Sequence, residues 1–293
     1  MKEETVLRIA SRMRTLYPPC TVLQIPYEEC DGFYDVWKIT DARGSYLLKR
    51  SASETELAIY QKLARRNDAL PKLYGATEYR GKPYLLTEFV EGHNLMHATR
   101  DDLVRVLDAM IRMQDMFWGS RQRIGEPFSA ALKSCLNRKA YLTETVLLDA
   151  FTRFEAMYRA LPRTLCHNDF LPFNVIVGTE RTVFIDWEHA GILPYPVMLS
   201  RLLAHTSERG ETPFYMARED RDFAIETYYD RLIRRKGISR EDYRAAMNAF
   251  LFYESLEWVY VYRKYNKPPD ALYDFALRQS HMYAEKVLHE KAR

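Results

Sequence analysis

Apolar residues recur at helical spacing from the first turn. Val6, Ile9, Ala10, Met13 and Leu16 share one face, which predicts an amphipathic helix over residues 3–16, ended by Pro18 and Pro19. The period then changes to two. Residues 33–39 and 45–50 read as strands on either side of the turn-rich Asp41-Ala42-Arg43-Gly44. Ser53 to Arg66 is helical again, with Leu57, Tyr60, Leu63 and Ala64 on one side. A second strand pair flanks Arg80-Gly81-Lys82, its later member being Tyr84-Leu85-Leu86-Thr87.

Beyond Gly92 the pattern is mainly helical, with one interruption. Val175-Ile176-Val177 and Val183-Phe184-Ile185 are short β-branched runs separated by residues 178–182, which reads as a hairpin. Ser239 and Asp242 have capping-box spacing ahead of a run from Tyr243 to about Tyr265. Pro268 and Pro269 break the chain, and Asp270 can cap a last helix to about residue 290. A strand-rich first third and a helix-rich remainder predict an α+β architecture in two lobes. Residues 1–91 would form the small β-rich lobe, and residues 92–293 the larger, mostly helical one.

Composition narrows the function classes. At 293 residues, 47% hydrophobic and 28% charged, the chain is long enough for substantial cores and ordinary for a soluble protein. No apolar run approaches the ~18 residues needed to cross a bilayer. Met1-Lys2-Glu3-Glu4 lacks the apolar core of a secretory signal. Cys20, Cys30, Cys135 and Cys166 are scattered, with no Cys-x-x-Cys pair, which argues for reduced thiols and a cytoplasmic setting. The formal charge is only +3. Arg231, Arg234, Arg235 and Lys236 end a helical run before Gly237, where cations complement the helix dipole, and no broad basic face for nucleic acid is evident.

The chemistry concentrates in His167-Asn168-Asp169-Phe170-Leu171-Pro172-Phe173-Asn174, followed by Ile185-Asp186-Trp187-Glu188. Asn174 precedes the first strand of the hairpin and Asp186 follows the second, so antiparallel pairing brings both to one end. Asp169 can accept a proton from an attacking hydroxyl, while Asn174 and Asp186 supply the oxygen ligands that Mg2+ prefers. This predicts a phosphoryl-transfer site with Asp169 catalytic. His167 is expected to brace the loop by hydrogen bonding rather than titrate. Cys166 is expected to fill a small buried space.

These residues also carry a resemblance. The sequence resembles the aminoglycoside phosphotransferase and choline kinase group of small-molecule kinases, distant relatives of the protein kinases. That group has His-x-Asp-x4-Asn, then Ile-Asp-Phe/Trp-Glu where protein kinases have Asp-Phe-Gly. The resemblance runs from about Tyr27 to the end and is most specific over residues 167–188. It implies a kinase-like fold and transfer of the γ-phosphate of ATP, with GTP a second candidate, to a hydroxyl of a small, cationic acceptor. An aminoglycoside phosphotransferase-like enzyme is the first reading, and a choline or amino-sugar kinase the alternative. Spore-coat proteins of kinase-like fold share the pattern, so a non-catalytic scaffold is a reading of another class.

On the nucleotide side, Lys49 is the expected lysine for the α- and β-phosphates and Glu56 its partner, with Arg50 and Glu54 as the competing choices. Glu56 stands seven residues before Leu63, as the corresponding glutamate does in that group. Residues 84–92 resemble the hinge between lobes, where backbone groups of Glu88 and Val90 would meet an adenine edge. Ile176 and Ile185 would form the apolar walls. Two departures stand out. Only Gly32 lies in the expected phosphate-covering loop, Glu28 to Val36, so the glycine-rich pattern of protein kinases is absent. Met198 occupies the position nearest to a structural aspartate of many relatives. Asn168 replaces the arginine that reads an activation loop in many protein kinases, which argues against a phosphorylation switch and a protein substrate.

For the acceptor, Tyr253, Glu254, Glu257, Trp258 and Val261 fall on one helical stripe. Aromatic faces and carboxylates would suit a cation. A stripe of this spacing also suits helix-packing core.

Overall fold

The computed structural model describes residues 1–26, 31–51, 54–63 and 67–289. A five-stranded antiparallel sheet, in the order β1-β2-β3-β5-β4, is built from β1 (Thr21–Pro26), β2 (Phe33–Asp41), β3 (Gly44–Arg50), β4 (Leu73–Tyr79) and β5 (Lys82–Glu88). The turn at 41–44 is held by the Asp41 carboxylate, which accepts from the amides of Tyr17, Arg43 and Gly44. Helix α1 (Glu3–Ser11) packs Val6, Ile9 and Ala10 on one face of the sheet, against Trp37, Ile39, Tyr46, Leu48 and Leu86. It ends at Ser11, five residues before the expected Leu16. Met13 and Leu16 still pack against this cluster, but from outside the helix.

The opposite face belongs to a different core. From α2 (Glu54–Leu63), Ile59, Tyr60 and Leu63 join Leu85 in one apolar cluster that continues through the helical lobe. The expected helix over 53–66 is seen for its middle, since Ser53 and residues 64–66 lie outside the described residues. The division of the cores therefore does not follow the chain boundary near residue 91. The small lobe is bolted down through α2, at roughly 1.5–3 kcal/mol for each fully buried large aliphatic side chain.

The remainder is helical apart from short strand pairs. It comprises β6 (Gly92–His93), α3 (Arg100–Met116), α4 (Phe128–Leu136), α5 (Thr145–Ala160), β7 (Arg163–Cys166), β8 (Val175–Gly178), β9 (Thr182–Phe184) and β10 (Gly191–Pro194). Then follow α6 (Pro196–Ala204), β11 (Thr206–Ser207), β12 (Phe214–Tyr215), α7 (Arg218–Tyr228), α8 (Arg240–Lys264) and α9 (Ala271–His289). Thr99 caps α3 with a reciprocal capping box, and Ser239 accepts from the Asp242 amide at the start of α8. Asp270 accepts from the amides of Leu272 and Tyr273 ahead of α9. The hairpin forms as expected, Val175 opposite Phe184 and Ile176 opposite Val183, with β6 adding a third strand. The β7–β10 pair was not foreseen. It is only four residues per strand and buried at almost every position, so it shows no alternation.

The basic cluster before Gly237 is already partnered. Arg231 pairs with Asp108, and Arg235 (3.1 Å) and Lys236 with Asp115, while Gly237 takes the left-handed conformation at φ 78°. No helix among the described residues is long and apolar enough to cross a membrane.

Candidate active site

The parity of β3 decides between the competing cations. Tyr46 and Leu48 face α1, so Lys49 projects from the other face, toward α2 and the larger lobe. Arg50 shares the outer face and pairs with Asp35. On α2, Glu56 is buried to 1% exposure whereas Glu54 is exposed. Lys49 Nζ donates to Glu56 Oε1 at 2.9 Å and to Asp186 Oδ1 at 2.7 Å. Burial alone would depress the lysine. The Glu56 and Asp186 carboxylates outweigh it and hold the ammonium above its ordinary pKa. Burial likewise raises Glu56, which Lys49 opposes, and the Ser51 hydroxyl donates to its other oxygen at 3.1 Å.

The loop after β7 is built to carry two polar side chains. His167 is fully buried and its Nε2–H donates to the Ile185 carbonyl at 2.7 Å. Burial lowers its pKa, so the ring is neutral and ties the loop to the hairpin, as expected. Asn168 takes φ 62° to reverse the chain. A single 3-10 turn, residues 172–174, then delivers Asn174 to the start of β8. The Asn174 Nδ2 donates to the Asp169 carbonyl at 2.8 Å and to Asp169 Oδ2 at 3.2 Å. The Ile185 amide donates to the Asn174 carbonyl at 2.9 Å, which closes the hairpin end and brings Asp186 beside Asn174. Asp186 itself is left-handed, at φ 65° and ψ 61°, a conformation that Asp tolerates better than bulkier residues. Its side chain is 38% exposed. Cys166 is fully buried, and burial pushes its thiol up to about 12, which suits an inert filler.

Two oxygen donors thus share one end of the hairpin. Because the Asn174 amide turns its nitrogen to Asp169, its oxygen is directed away from that contact. Asp186 has one oxygen on Lys49 and an exposed edge. A hard divalent cation fits this donor set. Another group, His205, Glu254 and Glu257, brings ligand atoms within 4.8 Å of one another. There the Arg201 guanidinium already serves as the cation, touching all three.

At the hinge, the Glu88 amide donates to the Lys72 carbonyl at 2.9 Å, and its carboxylate accepts from the Lys72 amide and pairs with Arg181. Of the backbone groups expected to meet an adenine edge, the Glu88 amide is thus already paired with the Lys72 carbonyl. Ile176 and Ile185 are half-buried, whereas their neighbours Val175, Val177 and Phe184 are buried.

The acceptor stripe is split by the structure. The ring of Tyr253 stacks on Phe154 at 4.4 Å and has the Arg138 guanidinium 4.1 Å from its centroid, so it is packing core. Glu254 is only 4% exposed and its carboxylate is neutralised by Arg201 at 3.1 Å. Burial would raise its pKa, but Arg201 and then His205 take it down to about 2. Both are corrections to an open cation pocket. Glu257 and Trp258 are half-buried, and Glu257 also meets Arg201 and Arg138.

Arg201 is the residue that sequence reasoning missed. It is the one charged side chain of α6, a helix buried at all nine positions, and its Nη2 donates to Asp169 Oδ1 at 2.9 Å. A lone arginine amid apolar residues, four before His205, was the available signal, since a fully buried charge requires partners. Met198, also buried, lies one turn earlier on the same helix.

The phosphotransferase enzyme family model matches residues 31–232, well over half of the chain. The chain belongs to that family. Among curated proteins, this phosphotransferase-family chain is 22% identical over 153 residues to Protein LicA of Haemophilus influenzae, covering 49% of this chain and 54% of that one. It thus spans about half the length of the curated relatives it matches. Among the solved structures that share the fold are two that cover nearly the whole chain. One is a choline kinase from Cryptosporidium parvum, at TM-score 0.62, 13% identity, and 97% and 95% coverage of this chain and that chain. The other is an aminoglycoside phosphotransferase from Alicyclobacillus acidocaldarius, at TM-score 0.60, 17% identity, and 98% and 93% coverage. The α+β, two-lobed, protein-kinase-like fold expected from the sequence is the fold found.

Proposed function

We propose that this chain is a small-molecule kinase that transfers the γ-phosphoryl group of ATP, with GTP as a second candidate, to a hydroxyl group. The observation that carries this reading is the Lys49 ammonium bridging Glu56 and Asp186, while Asp169 and Asn174 join hands at the other side of the same hairpin end. Lys49, fixed in direction by Glu56, would draw the α- and β-phosphate oxygens into line. Asp169 would orient the acceptor hydroxyl and take its proton late in the transfer. Asn174 and Asp186 would hold magnesium, which when bound neutralises charge on the β- and γ-phosphates. The Glu88 carbonyl and the Val90 amide would meet the base, with Ile176 and Ile185 against its faces.

The acceptor we propose is a small hydroxyl compound bearing a cation. Support comes from the half-buried ring of Trp258 on α8, and from a choline kinase and an aminoglycoside phosphotransferase among the fold relatives. The test is magnesium-dependent phosphate transfer from ATP and GTP to a panel of aminoglycosides, choline-like amines and amino sugars, with Asp169→Asn alongside. Transfer to one acceptor that disappears in the variant is expected. A folded protein that neither binds magnesium-nucleotide nor transfers phosphate would leave the kinase-like scaffold instead.

A further inference from the structure

We infer that Arg201 is the positioning residue for Asp169, an inference that rests on the phosphotransferase reading above. The two oxygens of the Asp169 carboxylate are gripped by different donors: Oδ1 by Arg201 Nη2 at 2.9 Å and Oδ2 by Asn174 Nδ2 at 3.2 Å. One contact would leave a short side chain, 24% exposed, free to swing about its terminal torsion. Two contacts from opposite sides set that torsion and aim the carboxylate.

Arg201 is itself held. Its Nη1 donates to Glu254 Oε2 at 3.1 Å and to His205 Nε2 at 3.1 Å, and its Nη2 also reaches Glu257 Oε1 at 3.2 Å. Glu257 passes the restraint on to Arg138 at 3.4 Å, and Arg138 donates to the Tyr253 carbonyl at 2.9 Å. The orientation of Asp169 is therefore referred back, through one guanidinium, to the rigid packing of α6 against α8.

Stability alone does not account for this arrangement. The other side chains of α6 are uncharged and buried, and a hydrophobic residue of similar volume at position 201 would avoid desolvating three carboxylates and a guanidinium. Glu254 by itself would neutralise the arginine. What the fork adds is a second N–H donor group, fixed in the same plane as the first and aimed at Asp169, a rigid geometry that a lysine ammonium on its flexible stem lacks. Misplacing a reacting group by about 1 Å can cost on the order of 10²-fold in rate.

The experiment compares Arg201→Lys and Arg201→Ala in the full chain, using the best acceptor of the panel and, in parallel, magnesium-ATP hydrolysis with water as acceptor. The expected result is a kcat lowered roughly 30- to 100-fold, with the nucleotide KM within about threefold of the parent. Added methylguanidinium should restore part of the kcat of Arg201→Ala but none in the Arg201→Ala, Asp169→Asn double variant. Should Arg201→Ala fail to fold, Arg201→Lys and Glu257→Gln, which loosens the fork while retaining shape, carry the same kcat test. A folded Arg201→Lys with kcat within twofold of the parent overturns the inference. So does a loss carried by the nucleotide KM. Turnover that persists without Arg201 removes only this inference, whereas a parent protein without any turnover removes the kinase reading as well.

Discussion

Lys49 and Asp186 stand 137 positions apart in the chain and meet at 2.7 Å. The contact joins the small lobe's sheet to the end of the larger lobe's hairpin, and Glu56 completes it from α2. On the proposed reading the ammonium would exchange a carboxylate for phosphate oxygens. Lys49→Met should lower kcat/KM for the nucleotide by about 10²- to 10³-fold, the usual scale for losing one preorganised charge. Glu56→Gln should lose less, because the ammonium remains but is held from one side. Steady-state kinetics with ATP varied would separate the two. Equal activity of Lys49→Met and the parent would remove Lys49 from the site.

Asn174 turns its amide nitrogen to Asp169, and on the proposed reading its oxygen would hold the metal. Asn174→Ala should raise the magnesium concentration needed for half-maximal rate by more than about tenfold, since two protein ligands then become one. It should also lower the rate at saturating magnesium, because Asp169 loses one of its two grips. Asn174→Asp restores the ligand but not the donor, so its magnesium requirement should recover while its maximal rate does not. A magnesium titration of the three proteins reads both effects. An unchanged requirement in Asn174→Ala would assign the metal elsewhere.

The parts of this candidate site that were legible in the sequence are those whose residues are close along the chain. His167, Asp169, Asn174 and Asp186 share a loop and one hairpin, whereas separating Lys49 from Arg50 required knowing which face of β3 packs against α1. Arg201 was not legible as a partner of Asp169, because the contact depends on how α6 packs across the loop. No local period encodes that. The stripe on α8 was left open between pocket and core for a related reason. Helical spacing placed Tyr253, Glu254, Glu257 and Trp258 together, but the neighbouring α5 and α6 decided which of them met solvent. The end of α1 was overrun because Met13 and Leu16 keep facing the same core after the helix has stopped.

Gly92 sets how closely β6 approaches the β8–β9 hairpin. A Cβ there would stand 2.4 Å from the Val177 carbonyl oxygen and 2.8 Å from Gly178 Cα, both backbone atoms of β8. Neither can step aside without opening the β6–β8 pairing, in which Gly92 faces Gly178. Gly92→Ala should therefore destabilise the protein by about 1–3 kcal/mol, the scale of overpacking, and raise the nucleotide KM because the hinge shifts. Thermal unfolding and ATP kinetics on the same preparation check both. A variant with the parent's midpoint would mean that the hinge yields freely.

Acid should weaken the protein first through its buried histidines. Burial, then the Arg201 charge, depresses His205 from an ordinary 6.5 to about 4, and burial lowers His167 in the same direction. In the unfolded chain His205 takes up a proton as pH falls through 6.5, while in the native state it stays neutral to about 4. The unfolded state therefore binds more protons between these values. The stabilisation contributed by the neutral ring is complete above about 6.5 and is lost as pH falls to about 4, a loss of ~3 kcal/mol. Glu254, held at about 2 against an ordinary 4.5, extends the loss below pH 4.5. His205→Gln keeps an acceptor for Arg201 without a titrating group. Denaturant unfolding at pH 7.5 and pH 5 should show a smaller drop for that variant than for the parent. Equal drops would mean that the ring is already protonated in the folded protein, and that Arg201 has another partner there.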